Sequence, residues 1–369
     1  MLDLNKVYQK ETVMKIDVAA IKHNVEVLKT KTSSIIIAVI KENGYGMGLQ
    51  QAYEIMVKSG LDYFAVTNAA EALALREMGS AYPILLMSPY QQQELVETLI
   101  EADITLMCNS VEQLELFQKI KQEKGLIAKV HLVVETGMGR YGFRYNNLPD
   151  FTPYLEAIKI DGCYSHFNNH PKHYQNQINH FSQALAKLAA QGIKPEITHL
   201  SNSAALLSVG DAGFTAVRIG SALLGKAARG GQVLQTAVWM EAPVAQVVEL
   251  PKGASVGYNA TYHLKRDSRL GLVRAGHGDG LFLGYADAKD PSLIHRILHD
   301  IREKLQPSRY QIYGIIQGKQ VPVVGSSGIA HVMLDLTGTN FKEQDTVRFN
   351  CNPLLVHPAV PKEFINQLD

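Results

Sequence analysis

Several polar side chains directly follow apolar segments of this 369-residue chain, where strand ends would bring them together. Lys41 comes straight after the apolar run Ile35–Ile40. An amine at the edge of a desolvated site has a lowered pKa, which is what a lysine needs to form a Schiff base. Taken alone, a solvated lysine at a strand end is the simpler interpretation. The same reasoning about strand ends selects five further residues: Arg140, His166, His199, Ser203 and Arg218.

Two of the short polar segments could bind an anion. Ser203, in the motif SNSAA (201–205), looks like the first turn of a helix after a strand, a geometry suited to phosphate. Helix capping by Ser201 explains the same motif equally well. Gly220 and Ser221 could supply further backbone donors to the same anion.

Alternating strand and helix patterns would position these residues. Short β-branched runs predict strands at Ile35–Ile40, Tyr63–Val66, Ile84–Met87, Ile104–Met107, Ala128–Val134, Gly162–His166, Ile197–Leu200 and Thr215–Arg218. Apolar residues spaced by three or four predict helices at Ala20–Lys29, Gln51–Lys58, Ala69–Glu77, Gln92–Ile100, Val111–Ile120, Leu155–Lys159 and Ile178–Ala190. Parallel βαβ units follow from this alternation, and eight strands favour a (β/α)8 barrel over an open sheet.

The helical alternation stops at Gln232, which predicts a second, β-rich domain. Its strands are expected at Ala242–Leu250, Leu270–Arg274, Gln311–Ile316, Gln320–Val324, His331–Leu336 and Thr346–Cys351. One helical stretch, Ser292–Leu305, is predicted as an insertion. We therefore expect an N-terminal extension (1–12), a barrel (13–230) and a β-rich C-terminal domain (231–369).

Composition excludes several classes of protein. Lys and Arg total 36 against 35 Asp and Glu, so no global field recruits nucleic acid or an anionic membrane. Three scattered cysteines without a CxxC pair make neither a disulfide framework nor a zinc ribbon. The N-terminus lacks an apolar signal-peptide core, and no apolar run approaches a membrane span. A soluble cytoplasmic protein without nucleic-acid or membrane partners is expected.

Five motifs occur in order along most of the chain, from about Ile16 to Val347. They are AVIKENGYGMG (38–48), VHLVVETGMGRYGF (130–143), SHF (165–167), SNSAA (201–205) with VRIGSALLG (217–225), and SVGYNATY (255–262). Together they resemble the alanine racemase family, whose cofactor is pyridoxal 5′-phosphate (PLP). The resemblance implies a PLP-dependent amino acid racemase that interconverts L- and D-amino acids, built as a barrel followed by a β-rich domain.

The resemblance also assigns roles to individual residues. Lys41 would bind PLP covalently and act as one catalytic base, and Tyr258 would be the second base on the opposite face of the substrate. The phosphate would be bound by Tyr45, Ser203, Gly220 and Ser221, with His199 in the cofactor cradle. No metal ion is expected.

The remaining roles concern proton control and substrate binding. Arg218 would face the pyridine nitrogen, and His166 would join Arg218 to Tyr258. Positive charge near the tyrosine would lower its pKa from the reference value of about 10. Arg140 would approach the substrate carboxylate. The tyrosine of this family acts on the neighbouring subunit's cofactor, so the resemblance implies a homodimer with shared active sites.

Four departures from the family lie near the substrate. Val133 stands where the family usually has a lysine, often carbamylated, that supports the carboxylate-binding arginine, and His277 stands in place of an entrance tyrosine. Ile329-Ala330 replaces a Met-Asp pair, which leaves the Ile329 backbone N–H for the substrate but removes the acid. The family's C-terminal phosphate-binding tyrosine has no counterpart that we can place. These changes predict an altered substrate, larger or more polar than alanine, with drift around an ordinary alanine racemase as the alternative.

Other functions remain open at this stage. A different PLP-dependent barrel activity, a decarboxylase or a retro-aldolase, would use the same cofactor site. A PLP-binding regulatory or carrier protein, or a catalytically silent racemase homologue, would keep the fold without turnover. The second domain with Tyr258 and the retained Lys41 argue against these readings, because a lysine and a tyrosine supply two-sided proton transfer.

Overall fold

The computed structural model describes residues 11–226, 233–260, 262–283 and 312–367. These residues form two compact units. The barrel unit contains Val18–Ala237, and the strand-rich unit contains the chain up to Asp17 together with Val238–Ile365.

Eight parallel strands close the barrel unit into a (β/α)8 barrel, as predicted. They are β2 (Ile35–Val39), β3 (Phe64–Val66), β4 (Ile84–Leu86), β5 (Thr105–Cys108), β6 (Ala128–Glu135), β8 (Ile158–Tyr164), β9 (Ile197–His199) and β10 (Ala216–Ile219). Each strand pairs with its neighbour in this order, and β10 pairs with β2 to close the ring. A two-residue strand, β7 (Phe143–Arg144), extends the edge beside β6. Parallel closure explains why the strands are apolar on both faces.

Helices cover the outside of the barrel. They are α1 (Val18–Lys29), α2 (Leu49–Lys58), α3 (Ala69–Glu77), α4 (Gln93–Glu101), α5 (Val111–Lys124), α6 (Tyr174–Ala190) and α7 (Ser203–Val209). Side-chain caps fix several starts: Asn68 Oδ1 accepts the Ala70 N–H at 2.9 Å, and Ser110 Oγ accepts the Gln113 N–H. Gly125 ends α5 in the left-handed conformation that glycine adopts most easily.

Apolar side chains fill the barrel interior in layers. Inward residues of adjacent strands, among them Ile37, Val39 and Leu85, form one buried cluster. Met107, Val133 and Tyr164 form a second. Burial of each large side chain contributes about 1.5–3 kcal/mol, so these layers hold the strand ends in fixed positions.

One predicted helix is wrong. Leu155–Lys159 is a turn followed by strand, since a 3-10 turn covers Thr152–Tyr154 and β8 begins at Ile158. Ile158 and Lys159 of this segment pair with β6, and strand pairing outweighs a helical spacing seen over only five residues. The β8 strand also ends at Tyr164, so His166 lies just beyond it.

The strand-rich unit is built on an eight-stranded sheet. Its members are β1 (Val13–Asp17), β11 (Val238–Leu250), β14 (Ser268–Val273), β15 (Tyr313–Ile316), β16 (Lys319–Val324), β17 (Val332–Asp335), β18 (Thr346–Phe349) and β19 (Lys362–Ile365). A small hairpin joins β12 (Ser255–Val256) to β13 (Tyr262–His263). All six predicted strands of this region are present.

The first strand differs from expectation. We expected the barrel to begin at residue 13, but β1 pairs antiparallel with β11 and parallel with β19 in the strand-rich unit. The predicted boundary near residue 231 and the predicted helix Ser292–Leu305 lie outside the described residues. Within the described ranges no helix is both long and apolar enough to cross a membrane.

Candidate active site

One cavity lies at the C-terminal ends of the barrel strands and holds about 830 Å³ of empty space, including its open mouth. Eight predicted site residues line it: Lys41, Tyr45, Arg140, His166, Ser203, Arg218, Gly220 and Ser221. Its wall also includes Val39, Thr67, Met87, Tyr141, Tyr164, Asn169, Asn202 and Ala204, which the sequence did not single out. A cavity of this size accommodates a cofactor together with a small substrate.

Lys41 enters the cavity from a strained turn. It follows β2 and begins the short helical turn Lys41–Tyr45. Glu42 and Asn43 have φ values of 52° and 55°, in the left-handed region that non-glycine residues rarely occupy. The Asn43 side chain stabilises the turn, because its Oδ1 accepts the Leu49 N–H at 2.8 Å. Strain of this kind is kept where the surrounding structure and the function require it.

Arg218 is buried, with 3% of its surface exposed, and is held by two histidines. Its Nη1 donates to His199 Nδ1 at 2.6 Å and its Nη2 donates to His166 Nδ1 at 2.9 Å. The backbone carbonyls of His199 and Ser165 accept further bonds at 3.3 and 2.7 Å. Four of the five N–H groups of the guanidinium are thereby used, and only Nε–H is left for a ligand in the cavity.

His199 does not line the cavity, although the resemblance places it in the cofactor cradle. It is fully buried behind Arg218 and stacks on Tyr164, with 4.8 Å between the ring centroids. Behind it lie two residues that sequence reasoning missed: His131 Nδ1 is 2.9 Å from His199 Nε2, and Tyr63 Oη is 3.2 Å from His131 Nε2. The one available signal was a histidine inside the apolar run that forms β6.

Burial and the charge of Arg218 keep the site histidines neutral. Together they lower the pKa of His131 to about 3 and hold the pKa values of His166 and His199 well below the usual range. Burial also lowers the pKa of Arg218, to about 10, which still leaves it charged at neutral pH. Arg218 is therefore a buried cation that is flanked by neutral imidazoles.

An anion cradle lies on the cavity wall, but its donors differ from expectation. The N–H groups of Gly220 and Ala222 donate to Ser203 Oγ at 3.2 and 3.3 Å, so the Gly220 N–H is already used. This leaves the Ser203 hydroxyl proton for an anion. A Cβ on Gly220 would overlap Tyr45 Oη, so the tyrosine hydroxyl lies directly against this glycine. Asn202, not Ser201, caps α7.

Arg140 lies on an exposed loop that Glu135 organises. The Glu135 carboxylate accepts the backbone N–H groups of Gly137, Gly139 and Arg140. The Arg140 guanidinium carbon lies 4.6 Å from the centre of the Tyr141 ring. The loop thus presents Arg140 to the cavity. Among the described residues, no side-chain carboxylate forms an ion pair with its guanidinium.

Tyr258 and Ile329 belong to the strand-rich unit and are 72% and 77% exposed there. The Tyr258 N–H donates to Ser326 Oγ at 2.8 Å, which fixes the backbone of the tyrosine and leaves its phenol in solvent. His277 occupies a short turn of the same unit, and its Nδ1 lies 3.1 Å from the Leu281 carbonyl.

Family models match both parts of the chain. Residues 16–228 match the model "Alanine racemase, N-terminal domain", and residues 237–353 match "Alanine racemase, C-terminal domain". The chain belongs to the alanine racemase family. A family member named alanine racemase from Methanococcus maripaludis is 31% identical over 87% of this chain and 84% of its own length. Another, alanine racemase 2 of Caldanaerobacter subterraneus, is 27% identical over 89% and 82%.

Solved structures of the family share the fold. Alanine racemase from Streptomyces coelicolor superposes with a TM-score of 0.80 at 22% identity, covering 99% of this chain and all of the other. Alanine racemase from Bacillus anthracis, solved with bound L-Ala-P, has a TM-score of 0.76 at 25% identity, with 98% and 96% coverage.

The cavity fits PLP, the cofactor of this family. PLP has three recognition elements: an aldehyde, a pyridine nitrogen and a phosphate. The wall offers a primary amine in Lys41, a spare guanidinium N–H in Arg218, and hydroxyl groups of Tyr45 and Ser203 beside Gly220. The donor set matches the chemistry of each element of the cofactor.

Proposed function

We propose that this protein is a PLP-dependent racemase that interconverts L- and D-alanine by a two-base mechanism. Relatives named alanine racemase support the substrate class. The observation that carries the proposal is Arg218, which is buried between two neutral histidines on the wall that also carries Lys41. A cation at this position keeps a bound pyridine nitrogen from taking a proton, because arginine stays protonated.

Bound PLP supplies an electron sink that acidifies the Cα–H of an attached amino acid. Lys41 would hold the cofactor and exchange the Cα proton on one face of the substrate. Arg140 would bind the substrate carboxylate. The Tyr45 and Ser203 hydroxyl groups and Ser221 would bind the cofactor phosphate beside Gly220, whose own N–H donates to Ser203. Because Arg218 cannot act as an acid, the sink stays moderate, which disfavours side reactions such as transamination.

Tyr258 would be the base on the opposite face and would come from the partner subunit of a homodimer. Its exposed phenol supports this role, since an aromatic side chain in solvent is available to another protein surface. His166 would connect it to Arg218, and the His166–Arg218 half of this link measures 2.9 Å. Under this proposal the barrel unit (Val18–Ala237) binds the cofactor and the strand-rich unit delivers the tyrosine, with the Ile329 N–H and His277 near the substrate.

The substitutions at Val133, His277 and Ile329 also lead us to propose that the substrate range extends to amino acids larger or more polar than alanine. Thr67, Met87 and Asn169 on the cavity wall would meet such side chains. Alanine remains the reference substrate for the test.

The test uses the PLP-loaded protein in D2O with single-enantiomer amino acids, followed by NMR of Cα deuteration and by chiral chromatography. We expect deuteration together with appearance of the opposite enantiomer, first of all with alanine. Lys41→Ala should abolish both signals. CO2 release or aldehyde formation without the opposite enantiomer would favour a decarboxylase or a retro-aldolase. Bound PLP without any exchange would favour a silent homologue.

A further inference from the structure

A continuous row of hydrogen bonds runs through the barrel interior from the cavity wall to the far side of Arg218. It joins His166, Arg218, His199, His131 and Tyr63, and we call it the imidazole chain. The four internal distances are 2.9, 2.6, 2.9 and 3.2 Å. His199 and His131 are fully buried, and Tyr63 is 5% exposed.

The polarity of the chain follows from the chemistry of arginine. A guanidinium has donors only, so His199 Nδ1 must be an acceptor and the ring proton must lie on Nε2. His199 Nε2–H then donates to His131 Nδ1, which places the His131 proton on Nε2 as well. His131 Nε2–H donates to the Tyr63 hydroxyl oxygen. Every link therefore has its donor on the side nearer Arg218 and its acceptor farther out.

We propose that His131 and Tyr63 are positioning residues that lock the tautomer of His199 and thereby hold Arg218 with its Nε–H toward the cofactor. The role rests on the proposed function, because it concerns the contact of Arg218 with PLP. The acceptors of Arg218 are two imidazole nitrogens and two carbonyls, so no carboxylate of the described residues takes part. Oriented neutral dipoles stabilise the buried charge in place of a counter-ion.

The fold makes room for His131 by two local devices. The register between β6 and β8 shifts beside it, from Val130 opposite Ile160 to His131 opposite Gly162, which leaves Asp161 as a bulge. A Cβ on Gly162 would overlap the His131 ring. Bulges re-aim side chains and glycines allow close approach, so this strand pair is shaped around the imidazole.

The link between His131 and His199 also carries an energetic consequence. If the His131 acceptor is lost, the His199 Nε2–H remains buried without a partner, and an unsatisfied buried donor is costly. Relief comes from moving the proton to Nδ1 or rotating the ring, and either change removes an acceptor from Arg218. The guanidinium then loses the geometry that leaves Nε–H for the cofactor.

The test compares three variants of the full-length protein. His131→Leu removes the acceptor with a side chain of similar volume, and His131→Asn keeps an acceptor, because Asn Oδ1 can occupy the position of Nδ1. Tyr63→Phe removes only the outermost acceptor. The first readout is NMR of protein labelled with 15N-histidine, before PLP is added, which reports the tautomer of each buried ring. The second is the affinity for PLP by equilibrium dialysis.

We expect His199 and His131 as neutral Nε2–H tautomers in the unsubstituted protein. His131→Leu should change the His199 nitrogen signals and weaken PLP binding by about tenfold or more, the size expected for a lost bond to a charged group. In His131→Asn, the His199 signals and most of the PLP affinity should be those of the unsubstituted protein. Tyr63→Phe, which removes the outermost acceptor, should change both quantities less than His131→Leu does.

A His199 proton on Nδ1 in the unsubstituted protein would overturn the proposal. Unchanged His199 signals and PLP affinity in His131→Leu would also overturn it. If His131→Leu does not fold, the same result in Tyr63→Phe would overturn it. A protein with the expected tautomers that racemises no amino acid would contradict the proposed function and leave the tautomer assignment standing. The NMR measurement therefore separates the two failures.

Discussion

The Arg140 guanidinium lies over the ring of its neighbour Tyr141, 4.6 Å from the ring centre. The ring itself packs against the buried cluster of Met107, Val133 and Tyr164. The Tyr141 hydroxyl donates to the Met87 carbonyl at 3.3 Å. The partly buried Tyr141 ring thus contacts both the Arg140 guanidinium and the cluster that contains Val133, the position at which the resemblance leads us to expect a supporting lysine.

Tyr141→Leu should therefore weaken substrate binding more than catalysis. Loss of a cation–π contact of about 0.5–1 kcal/mol, with added freedom of the loop, predicts a KM increase of several-fold with a smaller change in kcat. Tyr141→Phe keeps the ring and should stay close to the original KM. Steady-state kinetics with L-alanine measures both, and equal effects of Leu and Phe would show that the hydroxyl, not the ring, supports Arg140.

Mixing two inactive variants should restore activity if the active sites are shared. Lys41→Ala and Tyr258→Phe each remove one of the two proposed bases, so neither variant alone should racemise alanine. A mixed dimer contains one site with both residues intact, and random assembly makes half of the dimers mixed, so about a quarter of the original activity should return. Absence of recovery, in mixtures that mass spectrometry shows to contain mixed dimers, would place both bases in one subunit.

Gly220→Ala should weaken cofactor binding by displacing Tyr45. The new Cβ would overlap the Tyr45 hydroxyl, so the tyrosine side chain must move away from its position in the cavity wall. We expect at least about a tenfold loss of PLP affinity, measured by equilibrium dialysis. The control is the same change in a Tyr45→Ala protein. Adding Gly220→Ala there should reduce the PLP affinity little further, because the side chain that would clash is absent. Additive losses would mean that Gly220 acts independently of the tyrosine.

Stability should fall in acid because His131 and His199 fold as neutral rings. Their pKa values lie below the usual range in the folded protein, with that of His131 near about 3. Below about pH 6.5 the unfolded chain takes up protons that the folded chain excludes, so the free energy of unfolding decreases as pH falls. Each ring contributes up to about 1.4 kcal/mol per pH unit in that window.

Urea unfolding of the PLP-free protein between about pH 7 and about pH 4.5 measures this slope. His131→Leu removes one titrating ring and should make the decline shallower, even if the variant is less stable at neutral pH. A slope that is the same in His131→Leu would mean that this ring is protonated in the folded protein.

Much of the fold followed from sequence patterns that act locally. The β-branched runs before Lys41, Arg140 and Ser203 are strands in the structure, because apolar side chains in a parallel barrel are buried on both faces regardless of longer-range detail. The positions of Lys41, Arg218 and Gly220 on one cavity wall also follow from strand order alone, since parallel strands end at a common rim.

Tertiary structure decided the rest. Nothing local marks Val13–Asp17 as part of the strand-rich unit, since its partners lie more than two hundred residues away in the chain. The link from Tyr63 through His131 to His199 joins the residue before β3 to β6 and β9 across the barrel interior. A period-two pattern reveals that a side chain points inward but not which polar group it meets. Hydrogen-bond partners depend on ångström distances between residues that are remote in sequence. The sequence therefore determined which chemical groups the site contains, whereas barrel closure determined which of them are hydrogen-bonded and, through those bonds, the donor direction and tautomers of the imidazole chain.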